Sequence, residues 1–121
     1  MQPAILRPDE TTEYFSEERC HILELANSPA DGAASVARAR VTPGSTTAWH
    51  RVRGTVERYV ILEGTGRVEV GAALVDDVGP GDVVLIPADE RQRITNTGST
   101  QLKFLCICSP RFEWRNYERL E

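Results

Sequence analysis

Apolar and polar residues alternate along most of this chain with a period of two. The alternation is clearest in Cys20–Ala26 (CHILELA), Ser35–Val41 (SVARARV) and Arg91–Asn96 (RQRITN). Successive side chains of an extended backbone point to opposite faces, so these segments predict half-buried β-strands. Glu57–Leu62 (ERYVIL), Val83–Ile86 and Leu102–Ser109 (LKFLCICS) are more continuously apolar and predict buried strands. Thr46–Val52, Arg67–Val70 and Ala73–Val75 read as further extended segments, and a short edge strand is expected at Ala4–Arg7. Turn chemistry separates them: Asn27–Ala33, Pro43-Gly44, Gly54, Gly64 with Gly66, Val78–Asp82 and Asn96–Ser99. Short strands with turns at intervals of about 8–12 residues predict an all-β sandwich or barrel, here of about ten strands. Only Ser109–Glu121 reads as helical. Ser109 can cap, Pro110 suits the first helical position, and Arg111, Arg115 and Arg119 recur every fourth residue.

The same alternation sorts the polar residues by face. Arg38 and Arg40 lie opposite Ala37, Ala39 and Val41. Two readings stand for that pair: solvent on the outside of a sheet, or a cavity in which guanidinium groups hold an anion. His21 shares a face with Leu23 and Leu25, as a half-buried histidine on an apolar face does. His50 shares a face with Val52, and Glu57 with Tyr59. His50, one of two histidines, therefore stands close to a carboxylate at the edges of two strand-like runs. Cys106 and Cys108 form C-x-C on one strand face and Cys20 stands apart, a pattern that fits buried thiols better than a zinc ribbon or a disulfide.

Composition narrows the partners. The chain has 121 residues, is 40% hydrophobic and carries a net charge of -4 with a pI near 5.2. That suits one domain over residues 1–121 with one core, and argues against nucleic acid or an anionic membrane as partner. The first residues show no secretory pattern, and no run approaches the about 20 apolar residues of a membrane helix, so a soluble cytoplasmic protein is expected. No glycine pattern makes a dinucleotide fingerprint, and no serine sits in a nucleophile elbow.

The spacing around His50 resembles the cupin superfamily. Gly44, five residues, His50, Arg51, Val52, four residues, Glu57, six residues and Gly64 follow the first cupin motif, with Val52 where a second histidine is expected. Gly81, five residues, Pro87, Ala88, Asp89, two residues, Gln92, three residues and Asn96 follow the second, with Asp89 in place of glycine and Gln92 in place of histidine. The resemblance covers residues 44–96 and implies a double-stranded β-helix of jelly-roll type, in agreement with the strand pattern, with its site in the barrel mouth.

The resemblance also implies a ligand set. His50, Glu57 and, through its amide oxygen, Gln92 would hold a divalent metal such as Zn, Mn, Fe or Ni, with waters completing the shell. The same reduced set reads equally as a metal-free polar pocket in which the three bond to each other, with Glu57 paired to His50 or an arginine. Tyr59 is expected to face inward, Thr47 to sit near the mouth, and Arg38, if inward, to favour an anionic small molecule. Three functions follow. One is a metal-dependent oxygenase, isomerase or decarboxylase. The second is a non-catalytic small-molecule-binding protein. The third is a metal-free epimerase-like enzyme with His50 as base and Tyr59 as acid. A homodimer is expected, with contacts through the N-terminal strand and the Trp114/Tyr117 tail.

Overall fold

The computed structural model describes residues 1–121. Eleven strands run in order: β1 (Tyr14–Phe15), β2 (His21–Ala26), β3 (Ser35–Val41), β4 (His50–Val52), β5 (Val56–Glu63), β6 (Gly66–Val70), β7 (Leu74–Val78), β8 (Val83–Ile86), β9 (Gln92–Asn96), β10 (Leu102–Ser109) and β11 (Tyr117–Arg119). They form two antiparallel sheets, ordered β1-β2-β3-β10-β5-β8 and β11-β4-β9-β6-β7. The inner faces of these sheets meet to form the core of the barrel.

Period-two alternation decides what enters that core. Strand β5 turns Glu57, Tyr59 and Ile61 inward, and β10 turns Leu102, Phe104 and Cys108 inward. Val68, Ile94 and Val70 close the core from the second sheet. Tyr59 and Phe104 pack with ring centroids 4.5 Å apart at the centre. The apolar Ala39 and Val41 of β3 are buried, so Arg38 and Arg40 face outward. There Arg38 donates to both carboxylate oxygens of Glu10 at 2.8 and 2.7 Å and to Glu13 at 3.0 Å, and Arg40 meets Glu13 at 2.6 Å. The solvent-side reading of that pair is the one realised.

The motif residues prove to be backbone devices as much as ligands. Asp89 stands where the family places glycine and keeps a left-handed backbone, with φ 69°. Aspartate tolerates that region better than most residues, because its short side chain bonds locally. Here Asp89 Oδ1 accepts from Gly54 N at 3.0 Å, and Asp89 N donates to Val52 O at 3.2 Å, tying the two motif turns together. Asn96 is buried, and its amide donates to Val41 O and Thr100 O, both at 2.8 Å, while its oxygen accepts from Gly98 N at 2.9 Å. It is a fully satisfied strut.

Two expected elements differ. The edge strand is Tyr14–Phe15, and Ala4–Arg7 is exposed and unpaired. Pro3 and Pro8 flank that segment, and proline lacks the N–H that a ladder needs. The expected C-terminal helix is reduced to one 3-10 turn, Trp114–Asn116, followed by β11. Strand β4 offers an open ladder edge, which Tyr117–Arg119 fills in register with Val52, Arg51 and His50. The recurring arginines serve ion pairs instead, with Arg111 and Arg115 both on Glu113.

Gly64 gives a test of the frame. Its φ is +85°, and a Cβ there would lie 2.5 Å from Gln101 O. At Gly54 φ is +68° but nothing lies within 4 Å. Gly64→Ala should therefore cost about 2–4 kcal/mol and Gly54→Ala about 1 kcal/mol in denaturant unfolding. Equal losses would show that close packing at Gly64 contributes nothing.

Candidate functional site

His50, Glu57 and Gln92 come to the inner face together. Each is at most 7% exposed. His50 and Gln92 are cross-strand partners on β4 and β9, and Glu57 begins the inward face of β5. His50 Nδ1 lies 2.7 Å from Ala48 O, and a carbonyl cannot donate, so Nδ1 carries the hydrogen. In the neutral ring the lone pair is thereby on Nε2, which faces Glu18 Oε1 at 3.7 Å.

Glu57 is the anomaly. Its Oε2 accepts from Cys108 Sγ at 3.7 Å, and its Oε1 is buried with no protein partner. The expected pairing with His50 or an arginine does not form. Burial pushes the Glu57 carboxyl above its ordinary 4.5 and the nearby Glu18 charge adds to the rise, while His50 and the side chains of Gln92 and Cys108 oppose it. The other predicted residues have different surroundings. Tyr59 is buried, gives its hydroxyl to Gln92 Oε1, and is pushed far up by burial. It braces Gln92 rather than lining an opening. Thr47 Oγ1 accepts from Ile94 N at 2.9 Å and holds β9 in place. Arg38 lies on the outside of the sheet and takes no part.

A small recess of about 30 Å³ adjoins Glu57 between the inner face of β2, β3 and β10 and the C-terminal segment. Its floor is Glu57, Cys106 and Cys108, and its side walls include Ile22 and Ala37. Its rim is formed by Glu18, Tyr14, Phe112 and Trp114. Trp114 Nε1 donates to Tyr14 Oη at 3.2 Å and so links the two terminal segments across the opening. The aromatic chain continues inward: Trp114 meets Phe112 at 5.0 Å and Tyr117 at 5.1 Å, and Tyr117 stacks on His50 at 5.3 Å. Tyr117 lies opposite Val52, so an aromatic ring packs beside the position that lacks the family's second histidine.

Glu18, Tyr14, Trp114 and Tyr117 are site residues that the sequence pattern does not single out. Glu18 is aimed inward by a tight turn. Ser16 N and Oγ both donate to Cys20 O at 2.9 Å, Arg19 sits at φ 68°, and Ala48 N donates to Glu18 O at 2.9 Å. In sequence, Glu17-Glu18 resembles any solvated acidic pair ahead of a strand. The one signal that could have found the aromatic residues is Trp114 with Tyr117, large apolar rings in an otherwise charged tail.

The donor set does not fit a resident metal. No three His, Cys, Asp or Glu side chains converge as a metal centre, Val52 offers no donor, and the Gln92 oxygen is engaged by Tyr59.

The profile of the cupin domain matches residues 37–108. The chain belongs to the cupin family. Cupins often bind metals, and this chain departs from the family's donor pattern at Val52 and Gln92. The chain is 36% identical over 87 residues to the uncharacterized protein MJ1618 of Methanocaldococcus jannaschii, covering 72% of this chain and 69% of that one. It is 37% identical over 71 residues to the oxalate-binding protein of Thermotoga maritima, covering 59% of this chain and 58% of that one. The match thus spans little more than half of the Thermotoga protein. Among solved structures, the Streptomyces nucleoside dehydratase Pac13 superposes with a TM-score of 0.77 at 14% identity, over 95% of this chain and 90% of that one. This shared barrel agrees with the double-stranded β-helix read from the strands.

The raised Glu57 carboxyl sets a pH dependence. Between its ordinary 4.5 and its higher folded value, the folded chain keeps a proton that the unfolded chain has released. Stability therefore falls as pH rises through that window, and Glu57→Gln removes the slope. The variant should melt about 2–6 °C above the parent at pH 8, with little gain at pH 5. A gain equal at both pH values would place the effect in packing instead of ionisation.

Proposed function

We propose that this cupin binds a small organic molecule in the recess, with the ligand's polar head against Glu57 and its body along the aromatic rim, and without a resident metal. One observation carries this reading: Glu57 lines the recess and keeps a buried carboxyl oxygen, Oε1, with no protein partner. Leaving such an atom unpaired costs about 1–3 kcal/mol, which a ligand that donates to it recovers. Relatives in the family include binding proteins, as the oxalate-binding protein of Thermotoga illustrates.

A second observation supports proton transfer on the bound molecule. Glu57 lies deep, where burial favours its neutral form, while Glu18 lies at the rim beside His50 Nε2. Two carboxyls in unlike surroundings are how an active site separates an acid from a base. The acid in this reading is Glu57 and not Tyr59, whose hydroxyl is committed to Gln92.

We further propose a homodimer, through a different surface from the one the sequence suggests. Trp114 lines the recess and donates its indole N–H to Tyr14. The outer face of β5 and the edge strand β8 instead exposes Leu62, Val83 and Leu85, at 46%, 56% and 69%. Such a patch on an edge strand invites a partner.

Elemental analysis of freshly purified chain should find metal well below one equivalent, whereas near-stoichiometric metal would restore the family's ligand set. Light scattering should give twice the 13.5 kDa chain mass, and Leu85→Glu should halve it with the β-sheet spectrum unchanged. A parent that scatters as a monomer would sink the dimer.

A further inference from the structure

The charge of the recess is opposite to the one expected for an acid-binding cupin. Arg38 and Arg40, the candidate anion holders, are turned outward and occupied by Glu10 and Glu13. The recess itself is lined by three carboxyl side chains, Glu18, Glu24 and Glu57, and by no lysine or arginine. Acidic residues alone would say little, since most are simply solvated. Here one of them, Glu57, is 93% removed from solvent, lines the recess and keeps an oxygen with no protein partner. Around them stand the rings of Tyr14, Phe112 and Trp114. An oxalate-like dianion placed there would meet like charge at short range, in surroundings of low dielectric that magnify the repulsion.

We infer that the ligand is a cation, and specifically a small molecule with a primary ammonium head. This rests on the binding reading of the recess. A primary ammonium carries three N–H donors and no acceptor, which suits a site whose unsatisfied group is a carboxylate oxygen. Charge-assisted N–H···O bonds are about twice as strong as neutral ones, and a bound ammonium would itself favour the ionised form of Glu57 that burial alone disfavours. Aromatic faces attract a cation as well, and more so once water is excluded. A quaternary ammonium would satisfy the rings but could not donate to Glu57. A neutral alcohol would donate one hydrogen and leave the other carboxylates uncompensated.

Three probes with the same four-carbon chain separate charge from shape: n-butylammonium, 1-butanol and butyrate, each titrated into the full chain and followed by two-dimensional NMR. Butylammonium should give saturable shifts at Ser35, Ala37, Cys106, Cys108 and the Trp114 indole. 1-Butanol should bind about tenfold more weakly and butyrate more weakly still, as expected for one charge-assisted contact. Glu18→Gln, which keeps size and removes charge at the rim, should weaken butylammonium about threefold or more without altering 1-butanol. Butyrate or 1-butanol binding in the recess as tightly as butylammonium would overturn the cation assignment and leave the binding site standing. Shifts confined to other surfaces, or none with any probe, would overturn both.

Discussion

The structure depends on the pairing of β10 with β3 on one side and β5 on the other. That arrangement fixes which residues face inward, because a strand held in register on both edges cannot slip by one residue without turning its whole apolar set to solvent. Along its inner face β10 presents Leu102 and Phe104 at one end and Cys106 and Cys108 at the other. The first pair belongs to the close-packed core, and the second floors the recess beside Glu57. Core and site are thus two ends of the same face. The packing that stabilises the barrel also holds a buried carboxyl in surroundings it would not choose.

Much of this was legible from residue order. The strands β2, β3, β5, β8, β9 and β10 follow from alternation and turn chemistry, and the same alternation turns His50, Glu57 and Gln92 to buried inward faces. The side of the sheet taken by Arg38 and Arg40 was decided by their neighbours, because burying Ala39 and Val41 leaves the guanidinium groups no place but the outside.

The rest depended on tertiary contacts that no local pattern carries. Arg111, Arg115 and Arg119 imitate a helix face, yet a short isolated helix is weak, and the free edge of β4 outcompetes it with a ladder. Glu18 looks like surface charge until the Ser16–Cys20 turn aims it inward. The donors available to a metal depend on a related constraint. Spacing reports that side chains can converge, but whether their lone pairs are free depends on partners such as Tyr59, whose hydroxyl occupies Gln92.

The rim has a further consequence. Its pieces come from the two terminal segments: Glu18 and Tyr14 from one, Phe112 and Trp114 from the other. Arg19 and Glu121 form an ion pair that joins these segments directly, alongside the Trp114–Tyr14 bond. The eight strands from β3 to β10 supply the scaffold and contribute only the floor and one side of the opening. Scaffold and rim can therefore diverge at different rates. In the proposed binding reading, substitutions near either terminus would retune ligand choice while the central strands stay under the packing constraint of the core.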